Sequence, residues 1–244
     1  IMAGAFIAFG GATSSTAAHA VENVGVARAL AGTIFPVGLM LIVFLGGELF
    51  TGNCLIIMDV FDKRVTWGGL FRDLLIVFFS NLVGALCVDT LIFFSGNLNY
   101  SGGLLGAYTI KVAIGKIAIS PAQGIASGIL CNILVCLAVL MATSATDIAG
   151  KVWAIFFPIW AFVVGGFEHC VANMFYIPAG IMAAANPDYV AKAQEAYGIT
   201  AEQIASLTPL NSLHNFIPVT LGNMIGGMVF VGLPLYLIYK KKWN

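Results

Sequence analysis

The sequence predicts an all-α membrane protein with six transmembrane helices in an inverted repeat, in which helices 2 and 5 are broken. Of the 244 residues, 60% are hydrophobic and only 9% are charged, which is too little polar surface to cover a soluble core. Six apolar spans of roughly 20 to 30 residues have the length that crosses a bilayer. A polar pattern, Glu-x4-Asn, interrupts two of them at 48–53 and 168–173.

The six spans account for most of the chain, so we predict a single transmembrane domain over residues 1–244. They lie at about 2–22, 30–58, 70–95, 119–143, 152–184 and 214–239. Between them, the glycine-containing segment 97–106 is expected to be an exposed turn. The polar, alanine-rich segment 186–206 is expected to form a short helix in an outer loop, capping the mouth or packing between subunits.

Two half-repeats, at about 1–100 and 107–244, contain three spans each, so the second half enters the membrane in the opposite orientation. Both Glu-x4-Asn segments fall in the middle span of their half. The flanking repeats are Phe35-Pro36 with Phe157-Pro158, and Asn81-Leu-Val-Gly84 with Asn223-Met-Ile-Gly226. Polar residues and glycines at membrane depth are tolerated where broken helices line a cavity. This pattern therefore predicts a transport site.

The distribution of basic residues predicts the orientation, although the formal net charge is zero. One side of the membrane has Lys63, Arg64, Arg72, Lys151, Lys240, Lys241 and Lys242. The other has Arg28, Lys111, Lys116 and Lys192. The excess favours both termini in the cytoplasm, for a multi-pass protein of the cell inner membrane. The chain opens on Ile1-Met2-Ala3-Gly4 without a basic n-region, so we expect no signal peptide, and a trimmed N-terminal segment is compatible with this start.

The residues shared by the two breaks are interpreted as scaffolding. Equivalent acids, Glu48 and Glu168, are expected to accept hydrogen bonds from backbone N–H groups that the broken helices leave free. Asn53 and Asn173 are expected to satisfy free carbonyl groups in the same way.

The unshared residues are the candidates for contact with a solute. His169, next to Glu168, is a pH-sensitive partner for an anion, because an imidazolium in lipid needs a counter-ion. Thr51 offers a short hydroxyl at the other break. Lys116 lies in an apolar stretch, where it either lends positive potential to a pore or extends to the interface.

Several bulky apolar residues lie within a few turns of the breaks: Phe35, Leu39, Leu49, Phe50 and Phe162. They either pack in the core or form hydrophobic constrictions that exclude hydrated ions. The five cysteines all fall in apolar spans without CxxC spacing, and we interpret them as reduced packing residues.

No enzyme, cofactor, metal or nucleic-acid motif occurs in the sequence, so we predict a protein that is not an enzyme and needs no cofactor. A thiol enzyme with Cys170 beside His169 would need a further orienting group. A channel for small neutral solutes is the main alternative, but the paired Asn-Pro-Ala signature of aquaporins is absent.

Three stretches together resemble the formate/nitrite transporter family over essentially the whole chain: Gly47–Asn53, Gly166–Phe175 and Ile217–Asn223. The resemblance implies an aquaporin-like protomer with broken second and fifth helices, assembled as a homopentamer in the bilayer with one pore per subunit. It implies that His169 is the central pore histidine, that Thr51 lies in the first break, and that Lys116 and Asn132 line the pore.

The same resemblance implies that the five bulky apolar residues form two constrictions, and that the permeants are small monovalent anions of weak acids such as formate, nitrite and hydrosulfide. The residues after the threonine, Gly52-Asn53-Cys54, replace the small hydroxyl residues of typical formate channels. On this ground the chain looks most similar to the hydrosulfide channel branch.

Overall fold

Helices follow one another throughout residues 1–240, the part of the chain that a computed structural model describes; Lys241 and Lys242 lie outside it. The helices are α1 (Met2–Ala18), α2 (Val24–Ile34), α3 (Val37–Leu45), α4 (Phe50–Asn53), α5 (Ile57–Phe61), α6 (Trp67–Ser95), α7 (Leu104–Ile117), α8 (Pro121–Ser144), α9 (Ile148–Gly165), α10 (Cys170–Ala183), α11 (Pro187–Tyr197), α12 (Ala201–Ala205), α13 (Leu213–Gly227) and α14 (Leu233–Lys240). A π-helical turn, Met228–Gly232, joins the last two helices.

Local sequence signals define several helix ends. Asn23 accepts a hydrogen bond from the backbone N–H of Val26 and so caps the start of α2. Ser120 and Gln123 form a reciprocal capping box at the start of α8, with Pro121 at the first helical position. Gly96, in the left-handed conformation, ends α6.

Within the described residues, five segments are long and apolar enough to cross a membrane. They are Val24–Leu45, Trp67–Ser95, Pro121–Ser144, Ile148–Gly165 and Leu213–Tyr239. Two shorter apolar segments, Phe50–Phe61 and Cys170–Ala183, complete the second and fifth predicted spans. The first predicted span was too long, because α1 ends at Ala18.

Both predicted breaks are present, and both begin at a glycine with a positive φ. Gly46 ends α3 with a φ of 79°, and Gly166 ends α9 with a φ of 69°. Residues that carry a side chain rarely adopt this left-handed backbone conformation, so glycine allows the chain to leave the helix here. The chain then resumes helical geometry at Phe50 and at Cys170.

Helix α7 is the main departure from the sequence prediction. The expected exposed turn 97–106 holds only in part, because Leu104 begins α7 and both Leu105 and Gly106 are buried. The ring of Tyr189 on α11 packs over Gly106, 2.5 Å from where a Cβ would lie. The segment 186–206, expected to form one short helix, forms two, α11 and α12. Helix α11 packs on α7 of its own chain.

We call α7 and α11 together the outer layer. Tyr189 also joins this layer to the turn before α7, since its hydroxyl donates a hydrogen bond of 2.7 Å to Oδ1 of Asn99. Burial of the phenol raises the pKa of Tyr189. The layer covers the outer end of the bundle beside the cavity described below.

Close packing by small residues joins the membrane helices. A Cβ added at Gly128 of α8 would lie 2.8 Å from the carbonyl oxygen of Val219, and one added at Gly222 would collide with the carbonyl of Ile125. On the other side of the molecule, Gly84 of α6 meets the backbone of α1 in the same way. Backbones can approach this closely only where no side chain intervenes.

Candidate pore site

The tip of the first break is held by Asn81 of α6. Its Oδ1 accepts a hydrogen bond of 3.0 Å from the backbone N–H of Phe50, and its Nδ2 donates one of 2.9 Å to the carbonyl of Glu48. Asn81 is fully buried. One side chain therefore satisfies a donor and an acceptor that the broken helix leaves free.

Asn223 of α13 does the same for the second break. Its Oδ1 accepts a hydrogen bond of 2.9 Å from the N–H of Cys170, and its Nδ2 donates to the carbonyls of Glu168 (2.9 Å) and Gly128 (2.8 Å). The repeated Asn-x-x-Gly was visible in the sequence, but no role was predicted for it. Its occurrence at the same place in each half was the signal that could have identified Asn81 and Asn223 as supports of the breaks.

The hydrogen-bond partners predicted for the scaffold residues were wrong at the first break. Asn53 Nδ2 donates 2.8 Å to Oε2 of Glu48 and 2.9 Å to Oδ2 of Asp73. The carboxylate of Glu48 thus binds an amide side chain rather than a free backbone N–H. The reason is that Asn81 already occupies the free backbone groups at this break.

The second break departs from the prediction in the same way. Oε2 of Glu168 accepts hydrogen bonds from Asn173 Nδ2 (2.7 Å) and Asn215 Nδ2 (3.2 Å). Its Oε1 accepts one of 2.7 Å from Nζ of Lys116. Asn215 also donates to the carbonyl of Lys116, so it ties α13 to the end of α7.

Lys116 and Glu168 form an ion pair at the edge of the cavity. The side chain of Lys116 is 19% exposed and that of Glu168 is 8% exposed, so the pair is largely removed from solvent. Nζ of Lys116 also lies 5.6 Å from the centre of the Tyr176 ring. Of the two roles that the sequence left open for Lys116, the structure favours a place beside the cavity, where Glu168 balances most of its charge.

The two breaks meet at a hydrogen bond between Thr51 and His169. The distance from Oγ1 to Nε2 is 2.9 Å, and both residues are buried. His169 Nδ1 accepts a hydrogen bond of 3.0 Å from the backbone N–H of Ala172. A neutral ring therefore has its proton on Nε2 and donates it to the Thr51 oxygen.

This geometry revises the pH-sensitive histidine that the sequence suggested. A second ring proton, on Nδ1, would face the N–H of Ala172 and replace a hydrogen bond with two opposed donors. The site therefore favours His169 as a neutral donor. The hydroxyl hydrogen of Thr51 is left for another acceptor.

Asn132 lies behind this contact and not on the cavity wall. Its Nδ2 donates to the carbonyl oxygens of Thr51 (3.2 Å) and Asn223 (2.7 Å), and the residue is fully buried. The expectation that Asn132 lines the pore is therefore not met in the described cavity, because its amide is used to join the first break to α13.

A cavity of about 850 Å³ leads from one face of the molecule to His169, and we call it the vestibule. Phe35 and Phe162 line its inner end, the floor, with their rings edge to face and their centroids 5.4 Å apart. The Phe162 ring lies 5.9 Å from the His169 ring, which also lines the vestibule. A constriction formed by these two phenylalanines remains a prediction.

The other three predicted constriction residues do not line the vestibule. Leu39, Leu49 and Phe50 are buried, and the Phe50 ring packs edge to face on Phe78 at 5.3 Å. Leu49 and Phe50 directly precede Thr51 along the chain. A second constriction formed by these residues remains a prediction.

A thiol-enzyme site is not assembled around Cys170. Its sulfur is fully buried, and both nitrogens of the neighbouring imidazole are already bonded to Thr51 and Ala172. A nucleophilic cysteine needs a base within hydrogen-bond reach, which His169 does not provide. Four of the five cysteines are buried as expected, whereas Cys87 is exposed.

The fold and the site together define a membrane transport protein, in which two broken helices meet at a polar contact below a solute-sized vestibule. The chain belongs to the formate/nitrite transporter family. The family model described as "Formate/nitrite transporter" matches residues 1–237.

Similar proteins cover nearly the whole chain. The "Probable formate transporter" of Methanothermobacter thermautotrophicus is 39% identical over 99% of this chain and 87% of its own length. "Formate channel FocA" of Escherichia coli is 38% identical over 99% of this chain and 85% of its own length.

Two solved structures have a similar fold. A chain described as "Pentameric formate channel with formate bound" matches with a TM-score of 0.83 and 35% identity, covering 98% of this chain and 94% of that chain. An "FNT family ion channel" matches with a TM-score of 0.80 and 28% identity, covering 97% and 87%. The prediction of six-span architecture with two broken helices is thereby confirmed.

Proposed function

We propose that the protein is a channel for formate and related small monovalent anions of weak acids. The observation that carries the proposal is the buried hydrogen bond between Thr51 and His169, which joins the two helix breaks next to the vestibule floor. The similarity to proteins named as formate channels supports formate as the first candidate permeant.

In this proposal the anion enters the vestibule and passes the Lys116–Glu168 pair before it reaches the Phe35–Phe162 constriction. An anion pays a large desolvation cost in such a constriction. The Thr51 hydroxyl, whose oxygen is already bonded to the imidazole, donates its hydrogen to an anion oxygen. This hydrogen bond lowers the cost of the charge, and so does protonation of the anion by a hydronium ion in the vestibule, which leaves a neutral acid and a water molecule.

Hydrosulfide and nitrite belong to the same proposal as further permeants. The positions that suggested a hydrosulfide preference support the first break rather than face the solute. Asn53 bonds to Glu48 and Asp73, and Cys54 Sγ lies 3.5 Å from the carbonyl oxygen of Phe50. They therefore give no reason to prefer hydrosulfide over formate.

We also infer that the protein assembles as a homopentamer. A neighbour in structure is described as pentameric, and long α6 presents a row of large apolar residues on its surface. Those residues are Phe71, Leu75, Phe79, Val83, Leu91 and Phe94. Such a face is covered by lipid or by a second subunit, and the mass of the purified protein in detergent tests this directly.

The central experiment is a proteoliposome uptake series with formate, nitrite, hydrosulfide, chloride and a neutral polyol. Formate uptake above that of empty liposomes is expected, with little chloride or polyol uptake. Uptake of the polyol at the formate rate would instead support the neutral-solute alternative. Current recording under a formate gradient separates passive anion flow, which carries charge, from transport coupled one-to-one to protons, which does not.

A further inference from the structure

Two basic residues lie on the vestibule wall without an acidic partner among the described residues. Arg28 and Lys111 both line the vestibule, and within residues 1–240 no carboxylate forms an ion pair with either. Nζ of Lys111 lies 4.3 Å from the centre of the Tyr197 ring. Glu22 also lines the vestibule, so Arg28 and Lys111 leave the wall with an excess of one positive charge beyond the Lys116–Glu168 pair.

Arg28 is held in place by the second helix break. Gly166 has a φ of 69° and ends α9, and a Cβ built there would collide with Nη1 of Arg28 and lie 3.1 Å from its Cζ. The guanidinium thus rests against the carboxyl end of α9, where the helix dipole favours a cation. No hydrogen bond joins it to an acceptor in the described part of the chain, so its donors are free for a ligand in the vestibule.

We propose that Arg28 forms an entry site for the carboxylate of the permeant, ahead of the Lys116–Glu168 pair and the constriction. This inference rests on the proposed function and adds a site and a basis for selectivity. A planar guanidinium binds both oxygens of a carboxylate through two parallel N–H···O hydrogen bonds. A monatomic anion or hydrosulfide has one acceptor atom, so it cannot form these two parallel hydrogen bonds. Lys111 adds charge nearby without this geometric preference.

The competing explanation for the position of Arg28 is a purely structural role, because its positive charge also stabilises the partial negative charge at the carboxyl end of α9. The two explanations differ in sidedness. An entry site changes the half-saturating concentration only when the solute is added on the vestibule face. A structural role lowers stability, or changes the half-saturating concentration from both faces.

The test measures initial formate uptake against concentration in vesicles of known orientation, with right-side-out and inside-out preparations compared. For R28Q, with formate on the vestibule face, the half-saturating concentration should rise about three- to fivefold, the range of one partly exposed charge contact. Added salt should weaken the wild-type advantage. The half-saturating concentration measured from the opposite face should not change.

The matched control is K192Q. Lys192 lies on the same outer side, on α11, but it pairs with Glu195 at 2.9 Å and does not line the vestibule. K192Q should retain the wild-type half-saturating concentration. A shift in K192Q equal to that in R28Q would overturn a site at Arg28 and leave only a general surface-charge effect.

R28K tests the geometric part and guards against misfolding of R28Q. R28K keeps the charge, so it should retain most of the attraction for hydrosulfide. The ratio of formate to hydrosulfide uptake should fall about threefold. An unchanged formate preference in R28K overturns the bidentate site. If the wild-type protein transports no formate, the proposed function fails; if it does and R28Q matches it, only the entry site fails.

Discussion

The chemical difference between the two breaks is confined to single residues. Thr51 and His169 occupy different places in their repeats, and neither has a counterpart in the other half. Because Nδ1 of His169 accepts the Ala172 N–H, the ring donates to Thr51, and the hydroxyl hydrogen of Thr51 is left for another acceptor. In the proposed mechanism that acceptor is the anion, so transport is expected to depend on this hydroxyl more than on an imidazolium.

Substitution of Thr51 tests this assignment. T51V keeps the shape but removes the hydroxyl, so it leaves the Nε2–H of His169 unpaired and takes away the donor to the anion. A hydrogen bond to a charged group contributes about 1.5–3 kcal/mol, so we expect formate uptake to fall at least about tenfold. T51S keeps the hydroxyl and should retain most of the flux. Equal uptake by T51V and the wild type would contradict the proposed mechanism.

The Lys116–Glu168 pair is expected to couple strongly. E168Q leaves the ammonium without its counter-ion, and K116M leaves a largely buried carboxylate with only two amide donors. Removal of one partner from a buried pair costs more than removal of both. In a double-mutant cycle on thermal stability in detergent, the double variant should be more stable than the sum of the single effects predicts, by about 1 to 3 kcal/mol. Additive single effects would mean that the pair does not interact in the folded protein.

At the scale of elements, the breaks are supported by asparagines on the third and sixth spanning segments. N223A leaves the N–H of Cys170 and the carbonyls of Gly128 and Glu168 without their partner, whereas N81A frees two groups. A buried unsatisfied group costs about 1–3 kcal/mol.

We therefore expect both variants to lower the melting temperature in detergent, and N223A to lower it more. T33A, which removes an exposed hydroxyl bonded to the carbonyl of Ala29, is the control and should change stability by less than about 0.5 kcal/mol. If N81A and N223A behave like T33A, the asparagines do not hold the breaks.

Much of this element structure was predictable because it repeats. The pattern Glu-x4-Asn located both breaks, and the glycines before it supply the left-handed residues that end α3 and α9. The partners of Glu48 and Glu168 could not be predicted, since Asp73, Lys116 and Asn215 come from distant segments. Helix α7 was missed because it is too short for a span and begins directly after a glycine-rich turn. Its burial depends on distant segments: Tyr189 covers Gly106, and Gly180 of α10 lies against Ala113.

At the scale of the whole molecule, the predicted inverted halves have matching supports but different charges. Each break is tied by one asparagine to the neighbouring span, yet among residues 1–240 only the second break pairs its glutamate with a lysine. The first break instead places Glu48 and Asp73 on the same amide of Asn53. The two entrances to the pore are therefore not electrostatically equivalent, and the orientation of the protein in the membrane determines which anion pool meets the vestibule.

Orientation is the last property that we predict. The vestibule opens beside α7 and α11, and the loop between α8 and α9 belongs to the opposite side of the membrane. The basic residues of that opposite side favour the cytoplasm.

Glu195, 71% exposed in its side chain, and the exposed Thr146 report the two sides when each is replaced by cysteine in a C87A background. In intact cells a membrane-impermeant maleimide should label E195C, and should label T146C only after the cells are opened. The C87A parent controls for the four buried cysteines. Labelling of T146C, but not E195C, in intact cells would show that the orientation is the opposite of the predicted one. The Arg28 entry site would then lie on the cytoplasmic side.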